Sequence, residues 1–118
     1  MNNMRKNSSF ALGRLKSGVM NKTEEKYSLY LNELLHAGTI LWYKFEGMTF
    51  KLADNTRYTP DFMVMLANNE LEAHEVKGFW QGDARVKIKV AAAQFPIHFI
   101  AIKVKAKKDG GGWSIEEF

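Results

Sequence analysis

Two strand-like segments carry the acidic and basic side chains that are able to form a site. Asp61 begins one segment, and Glu75 and Lys77 lie two residues apart on the next. Side chains two residues apart on a strand point to the same face, so Glu75 and Lys77 share a face and His74 points away from it. Two facing carboxylates repel each other unless a cation lies between them, and hard oxygen ligands favour Mg²⁺ or Mn²⁺. The pattern therefore indicates a metal site, with surface ion pairs as the alternative.

The hairpin between these segments decides whether Asp61 reaches Glu75. A two-residue loop at Asn68-Asn69 would pair Asp61 with Val76 and place the two acids on opposite faces. A three-residue loop, or one bulge, would pair Asp61 with Glu75 instead. The metal-site hypothesis therefore requires the odd loop or the bulge.

A third acid, Glu24, lies on the apolar face of the first predicted helix. Tyr27, Leu31 and Leu35 follow it at helical spacing, so its side chain points along the stripe that should pack on a sheet. A carboxylate directed at a sheet needs a partner or a metal ion. A capping box between Asn21 and Glu24 is the local alternative, and both interpretations can hold together.

The elements that must position these groups are predicted from periodicity and turn residues. The first helix begins near Thr23, with Asn21 as its N-cap, and Gly38 ends it. Segments rich in β-branched and aromatic residues predict strands at 39–45, 48–52, 61–66, 71–77 and 97–104. The resulting order, α-β-β-β-β-α-β, predicts an α/β fold with one mixed sheet and helices packed on it.

A second helix is predicted from Asp83, as N-cap, to about Phe95, with Val86, Val90 and Ala93 on one face. Its first turns are basic. Arg85 and Lys89 are one turn apart and suit phosphate contacts, Lys87 lies elsewhere on the helix and is also assigned to DNA, and a solvated cationic face is the alternative.

Composition and charge narrow the class of protein. The chain has 118 residues, 46% of them hydrophobic, a net charge of +4 and no cysteine. We expect a cytoplasmic protein without disulfides, secretory signal or membrane helix. The predicted organisation is a flexible basic arm at 1–20, a core domain at 21–108 and a C-terminal tail at 109–118. Basic residues outside the second helix that are candidates for DNA contact are Arg5, Lys6, Arg14, Lys16, Lys105, Lys107 and Lys108.

Two extended motifs give the chain a family resemblance. Tyr58-Thr-Pro-Asp-Phe is followed by Glu75-Val-Lys-Gly-Phe-Trp, with an acid early in the first helix. Together they resemble the PD-(D/E)xK nuclease superfamily, and within it the phage-type endonuclease I Holliday-junction resolvases and related small phage nucleases. The similarity runs from about Thr23 to Ile102. It implies a restriction-endonuclease-like sheet flanked by helices.

The resemblance also implies a role for each site residue. Asp61 and Glu75 match the metal ligands, the Val76 carbonyl would be a third ligand, and Lys77 matches the catalytic lysine. Glu24 matches the helix acid that completes the site, as a metal ligand through water. The implied reaction is Mg²⁺- or Mn²⁺-dependent hydrolysis of a phosphodiester, leaving a 5′-phosphate.

The biological context follows from the resemblance as an expectation. It implies a phage- or bacterium-encoded homodimer that acts on branched or nicked DNA in recombination or processing. The chain is shorter at the C-terminus than those resolvases, so a nicking endonuclease on ordinary duplex is a second hypothesis. A non-catalytic DNA-binding module is a third. An RNA-binding or protein-interaction domain is a fourth, but it leaves the three acids unexplained.

Overall fold

A five-stranded mixed sheet with a helix on each face forms the α/β fold of this chain, in a computed structural model that describes residues 18–77 and 82–118. In chain order, the elements are α1 (Lys22–Ala37), β1 (Ile40–Phe45), β2 (Phe50–Ala53), β3 (Thr56–Tyr58), β4 (Phe62–Leu66), β5 (Leu71–Lys77), α2 (Ala84–Gln94), β6 (His98–Val104), a 3₁₀ turn (Lys107–Asp109) and β7 (Trp113–Glu117).

The sheet runs in the order β1-β4-β5-β6-β7, and β2 pairs with β3 as a separate hairpin. Only the β5–β6 pair is parallel among these ladders, and α2 makes the crossover between its two strands. Because parallel strands need such a crossover, the position of α2 follows from the pairing. The apolar run of β6 is buried between neighbours on both sides, as its composition predicts.

Alternation along the strands divides the core into two layers. On one face, α1 packs through Tyr27 and Leu31 against Phe62 and Val76. On the other face, α2 and the β2–β3 hairpin cover a layer whose buried members include Phe50, Tyr58, Met63, Ala73, Ile88 and Phe99. Neighbouring residues of β5 therefore face different helices, which separates Glu75 from His74 as predicted.

The first helix ends where the sequence predicts. Asn21 is the N-cap and forms a complete capping box with Glu24. Gly38 ends the helix in the left-handed conformation with φ of 81°, which glycine adopts without a Cβ clash. Met20, within the predicted arm, packs against the core, whereas 1–17 lies outside the described residues.

The second helix has the predicted bounds but a different buried face. Ile88 and Ala91 are buried, whereas Val86 is 58% exposed and Ala93 is exposed, so that part of the prediction was wrong. Asp83 precedes the helix without a side-chain capping hydrogen bond. A helix rich in alanine and valine offers more than one apolar stripe, and packing on β2, β3 and β6 selects one of them.

Two strands were not predicted. Thr56–Tyr58 forms β3, which is only three residues long and is held by its partner β2. Trp113–Glu117 forms β7, so the segment assigned to a C-terminal tail is an edge strand of the main sheet, paired antiparallel with β6. In the described part of the chain, no helix is long and apolar enough to span a membrane.

Candidate active site

The β4–β5 hairpin has the register that the metal-site hypothesis requires. Phe62 pairs with His74 and Met63 with Ala73, so the next position places Asp61 opposite Glu75. The loop has three residues: the Leu66 amide donates to the Glu70 carbonyl at 2.8 Å, and Asn69 has φ of 71°. A three-residue hairpin loop commonly ends in such a left-handed residue, for which asparagine is suited.

Asp61 immediately precedes β4, at the end of the hairpin away from its loop, and is held against β5. Its Oδ2 accepts a hydrogen bond from the Val76 amide at 2.8 Å. Burial raises the pKa of Asp61 to about 8, and the nearby charges of Glu75 and Glu24 also raise it, while the Val76 amide lowers it. Desolvation and the neighbouring carboxyls both disfavour the ionised form of Asp61. A bound cation would offset both effects.

Glu75 is the most enclosed acid of this group, with 7% of its surface exposed. Its Oε1 accepts a hydrogen bond from the Tyr58 hydroxyl at 2.7 Å, and its Oε2 lies 3.2 Å from Lys77 Nζ. Burial raises the pKa of Glu75, and the contacts with Tyr58 and Lys77 oppose that rise. Each carboxylate oxygen has a second lone pair, so these contacts leave acceptor capacity on Glu75.

Glu24 reaches this group from the first turn of α1. Its Oε1 accepts from the Asn21 amide at 2.9 Å, which is the capping-box contact. Its carboxyl is also close enough to that of Asp61 to raise the Asp61 pKa, so the capping and site interpretations hold together. The structure thus brings Glu24, Asp61, Glu75 and Lys77 into one cluster at the end of β5.

Val76 contributes its main chain to the same place. Because the N–H and C=O of one extended residue point to the same side of a strand, its carbonyl, like its amide, is directed toward β4 and Asp61. Within 18–77 and 82–118, no three His, Cys, Asp or Glu side chains form a ready-made metal site. The oxygen donors available to a cation are therefore the carboxyls of Asp61 and Glu75, together with the Val76 carbonyl, which is directed toward Asp61. Hard oxygen donors of this type fit Mg²⁺ or Mn²⁺.

Tyr58 is a site residue whose role was not predicted. It occurs in the quoted motif, but its function depends on β3, whose hairpin places the hydroxyl against Glu75. Burial raises the pKa of Tyr58, so the hydroxyl remains a proton donor to the carboxylate. The signal in the sequence was a tyrosine three residues before the motif aspartate.

The predicted DNA-contact residues are not equivalent in the structure. Arg85 forms a two-pronged ion pair with Glu116 of β7 and lies over the Phe118 ring, so it is engaged within the protein rather than presented alone to phosphate. Lys89 is exposed and Lys87 half-buried on the same helix. Exposed lysines 105, 107 and 108 lie in the segment between β6 and β7. Arg5, Lys6, Arg14 and Lys16 lie outside the described residues.

Comparison of the chain with protein-family models, with curated proteins and with solved structures found no match in any of the three. The geometry of the cluster is therefore what supports a functional assignment.

Proposed function

We propose that this protein is a Mg²⁺- or Mn²⁺-dependent DNA endonuclease of restriction-endonuclease-like fold, with its active site at Glu24, Asp61, Glu75 and Lys77. One observation carries the proposal: the hairpin register sets two desolvated carboxylates against each other, with Lys77 on the same strand face. Stability alone does not favour burying two carboxyl groups against each other, because one of them must then hold a proton or meet a cation. The arrangement therefore suits a cation site. The motif resemblance described above agrees with these positions.

Each residue has a role that its environment explains. Asp61 and Glu75 would hold the ion, with the Val76 carbonyl beside them; the ion would supply charge neutralisation at the phosphodiester and acidify a water molecule. Lys77 orients the attacking water and stabilises negative charge developing at phosphorus. Tyr58 fixes one oxygen of Glu75, which leaves the other toward Lys77. Glu24 orders the carboxyl of Asp61.

DNA is the substrate that we propose, and branched or nicked DNA is the preferred form. Exposed lysines at 105, 107 and 108 lie in the segment after β6, and Lys103 is the register partner of Lys77. Cations near a hydrolytic site attract the phosphate backbone. The resemblance to junction resolvases supports branched substrates and a homodimer with one site for each strand.

A second candidate function is a DNA-binding module that uses the same cations without catalysis. The contact between Lys77 and Glu75 favours it, because an ion pair explains both side chains without a metal. It does not account for the crowding of Asp61 by Glu24 and Glu75.

Cleavage of labelled DNAs separates these functions. A four-way junction, a nicked duplex, an intact duplex and a single strand are incubated with Mg²⁺, Mn²⁺ or chelator. We expect metal-dependent cutting by the wild type and by Asp54→Asn, which removes a carboxylate whose side chain is 97% exposed. Asp61→Asn should not cut. Binding without cutting under all conditions would contradict the enzyme assignment and favour the binding module, and the substrate cut fastest identifies the preferred DNA.

A further inference from the structure

A groove lies between α1 and the segment that joins β6 to β7. It consists of two adjoining cavities of about 410 and 460 Å³ that share Lys26, Leu29 and Val104. We call it the hairpin groove. The larger cavity extends past Tyr30 to Trp113 and to the turn that contains Gly111 and Gly112. Each cavity is within the size range of small-ligand sites.

The hairpin groove begins beside the candidate active site. Thr23 and Glu25, which flank Glu24 in the first turn of α1, line its near end. On the sheet side, Lys77 and Lys103 are register partners, and Val104 follows at the groove wall. The hairpin groove and the candidate site therefore meet at the first turn of α1.

The floor of the hairpin groove is apolar and partly aromatic. Leu29 is 63% exposed, Val104 42% and Tyr30 38%, although all three are hydrophobic. Trp113 is anchored edge-on against the buried Tyr27, with ring centroids 5.1 Å apart, and Tyr30 lies 6.5 Å from Trp113. A clustered apolar surface that stays exposed beside charged groups is characteristic of a binding site.

The rim of the hairpin groove carries an excess of positive charge. Four lysines line it, against two acids, Glu25 and Glu33; the lysines are Lys22, Lys26, Lys105 and Lys107. None of these lysines forms an ion pair with an acid in the part of the chain that the structure describes. The groove thus combines an aromatic and aliphatic floor with cations that have no acidic partner among the described residues.

We propose that the hairpin groove binds a single-stranded segment of nucleic acid, such as the displaced branch of the DNA that the active site cuts. Bases supply flat apolar faces for Tyr30 and Leu29, and phosphates supply the charge for Lys105 and Lys107. Single-strand sites in general combine a cationic track with stacking side chains. An acidic peptide would satisfy the lysines but would leave the aromatic floor without a matching face. The proposal rests on the proposed function, because that function makes the groove an extension of the site.

Binding of a fluorescein-labelled oligothymidylate of about 12 nucleotides, measured by anisotropy in metal-free buffer, tests the proposal without requiring catalysis. We expect Tyr30→Leu to raise Kd by about fivefold or more, because a stacked base is lost while the aliphatic bulk remains. Lys105→Gln and Lys107→Gln should each raise Kd by about two- to fivefold and reduce its salt dependence. Circular dichroism and thermal melting confirm that each variant is folded.

Matched controls come from the opposite edge of the sheet. Trp42, which is 42% exposed, and Lys44, which is exposed, lie on β1. Trp42→Leu and Lys44→Gln should leave Kd within about twofold of the wild type, because β1 is the edge strand opposite β7 and neither residue lines the groove. Equal effects of groove and control variants would overturn the groove as the binding surface.

Three further outcomes separate this inference from the nuclease assignment. Groove-dependent binding by a wild type that cuts no DNA would support the groove and contradict the nuclease. Metal-dependent cutting with single-strand binding unaffected by Tyr30→Leu would overturn the groove and leave the nuclease intact. Displacement of the oligonucleotide by an equal concentration of polyglutamate would overturn the choice of nucleic acid in favour of an acidic peptide.

Discussion

The two faces of β5 carry two polar clusters whose acidic groups have pKa values shifted in opposite directions. On the face toward α2, Glu75 lies beside Asp61, and both carboxyls have raised pKa values. On the face toward α1, Glu72 accepts hydrogen bonds from two histidines, His74 and His98, and its pKa is lowered. The two clusters share a strand, and alternate side chains assign them to separate environments.

The α1-face cluster is a chain of satisfied partners. The Tyr27 hydroxyl lies 2.7 Å from His74 Nδ1, and His74 Nε2 lies 2.9 Å from Glu72 Oε1. The other Glu72 oxygen lies 3.0 Å from His98, which in turn lies 3.2 Å from Glu117. Each buried polar atom of this cluster has a hydrogen-bond partner. The hydrogen bonds of the cluster therefore connect α1, β5, β6 and β7.

The Asp61–Glu75 cluster lacks that balance. Within the described residues, its one cationic contact is that of Lys77 with Glu75 at 3.2 Å, whereas Asp61 meets two other carboxyls and one amide. A buried polar cluster thus stabilises the fold when its charges are paired, and is a candidate for chemistry when they are not. Substitutions in each cluster, followed by measurements of cleavage and stability, test this distinction.

The largest expected effect is on catalysis. Asp61→Asn should lower the metal-dependent cleavage rate by about a thousandfold or more, because the variant removes a ligand and keeps the volume of the side chain. Glu72→Gln should leave the rate within about threefold, measured well below its melting temperature. A similar loss in both variants would mean that the two faces do not differ in function.

The next largest effect is on stability, and here the variant of the α1-face cluster should be affected more than Asp61→Asn. His74→Ala should lower the free energy of unfolding by about 2–4 kcal/mol, because it removes the partner of the buried Tyr27 hydroxyl and of one Glu72 oxygen. Asp61→Asn should be as stable as the wild type or more stable in chelator at pH 8, since it removes a crowded charge. Urea unfolding measures both. Destabilisation by Asp61→Asn comparable to that of His74→Ala would place Asp61 among the structural groups.

The pH dependence of stability should also differ between the clusters. The folded protein holds a proton on Asp61 with a pKa of about 8, above the ordinary value, so the contribution of Asp61 to stability is most favourable at low pH and is lost as the pH rises toward 8. We expect a loss of roughly 4 kcal/mol between about pH 5 and pH 8 in chelator. Mn²⁺ or Asp61→Asn should remove that loss.

Glu72 contributes in the opposite direction. Its pKa is lowered by the histidine hydrogen bonds, so its contribution is present above the ordinary value of about 4.3 and is lost as the pH falls below it. Glu72→Gln should therefore flatten the acid limb of the stability profile and leave the limb near pH 8 unchanged. An altered limb near pH 8 would show that the two clusters titrate together.

The smallest expected effect is that of Tyr58→Phe. The variant removes one hydrogen bond to Glu75 and should lower stability by about 1 kcal/mol and cleavage by less than about tenfold. Because the hydroxyl lowers the pKa of Glu75, the pH at which cleavage reaches half its maximum should move upward. An unchanged pH profile would show that Tyr58 only packs against the site. Trp42→Leu serves as an aromatic control on the far edge strand.

The sequence predicted most of the elements and the positions of the acids. The capping box, the left-handed Gly38 and the parity of β5 are local patterns, and all three are confirmed. Parity made the metal-site hypothesis depend on a three-residue loop or one bulge, and the hairpin has the three-residue loop.

The remaining errors concern features that depend on tertiary contacts. β3 and β7 are short and form only because β2 and β6 pair with them, so local composition does not reveal them. The buried face of α2 is chosen by the sheet among equivalent alanine and valine stripes. The ion pair of Arg85 with Glu116 depends on β7, so the sequence alone assigned Arg85 to phosphate.

Binding of Mn²⁺ is the most direct test of the difference between the two clusters. Isothermal titration at pH 8 with the wild type, Asp61→Asn, Glu72→Gln and Asp54→Asn compares the clusters under one condition. We expect one Mn²⁺ site in the wild type that is retained in Glu72→Gln and Asp54→Asn and is lost or at least about tenfold weaker in Asp61→Asn. Equal Mn²⁺ affinity in the wild type and Asp61→Asn, or no binding by either, would contradict the assignment of the Asp61–Glu75 cluster as a metal site.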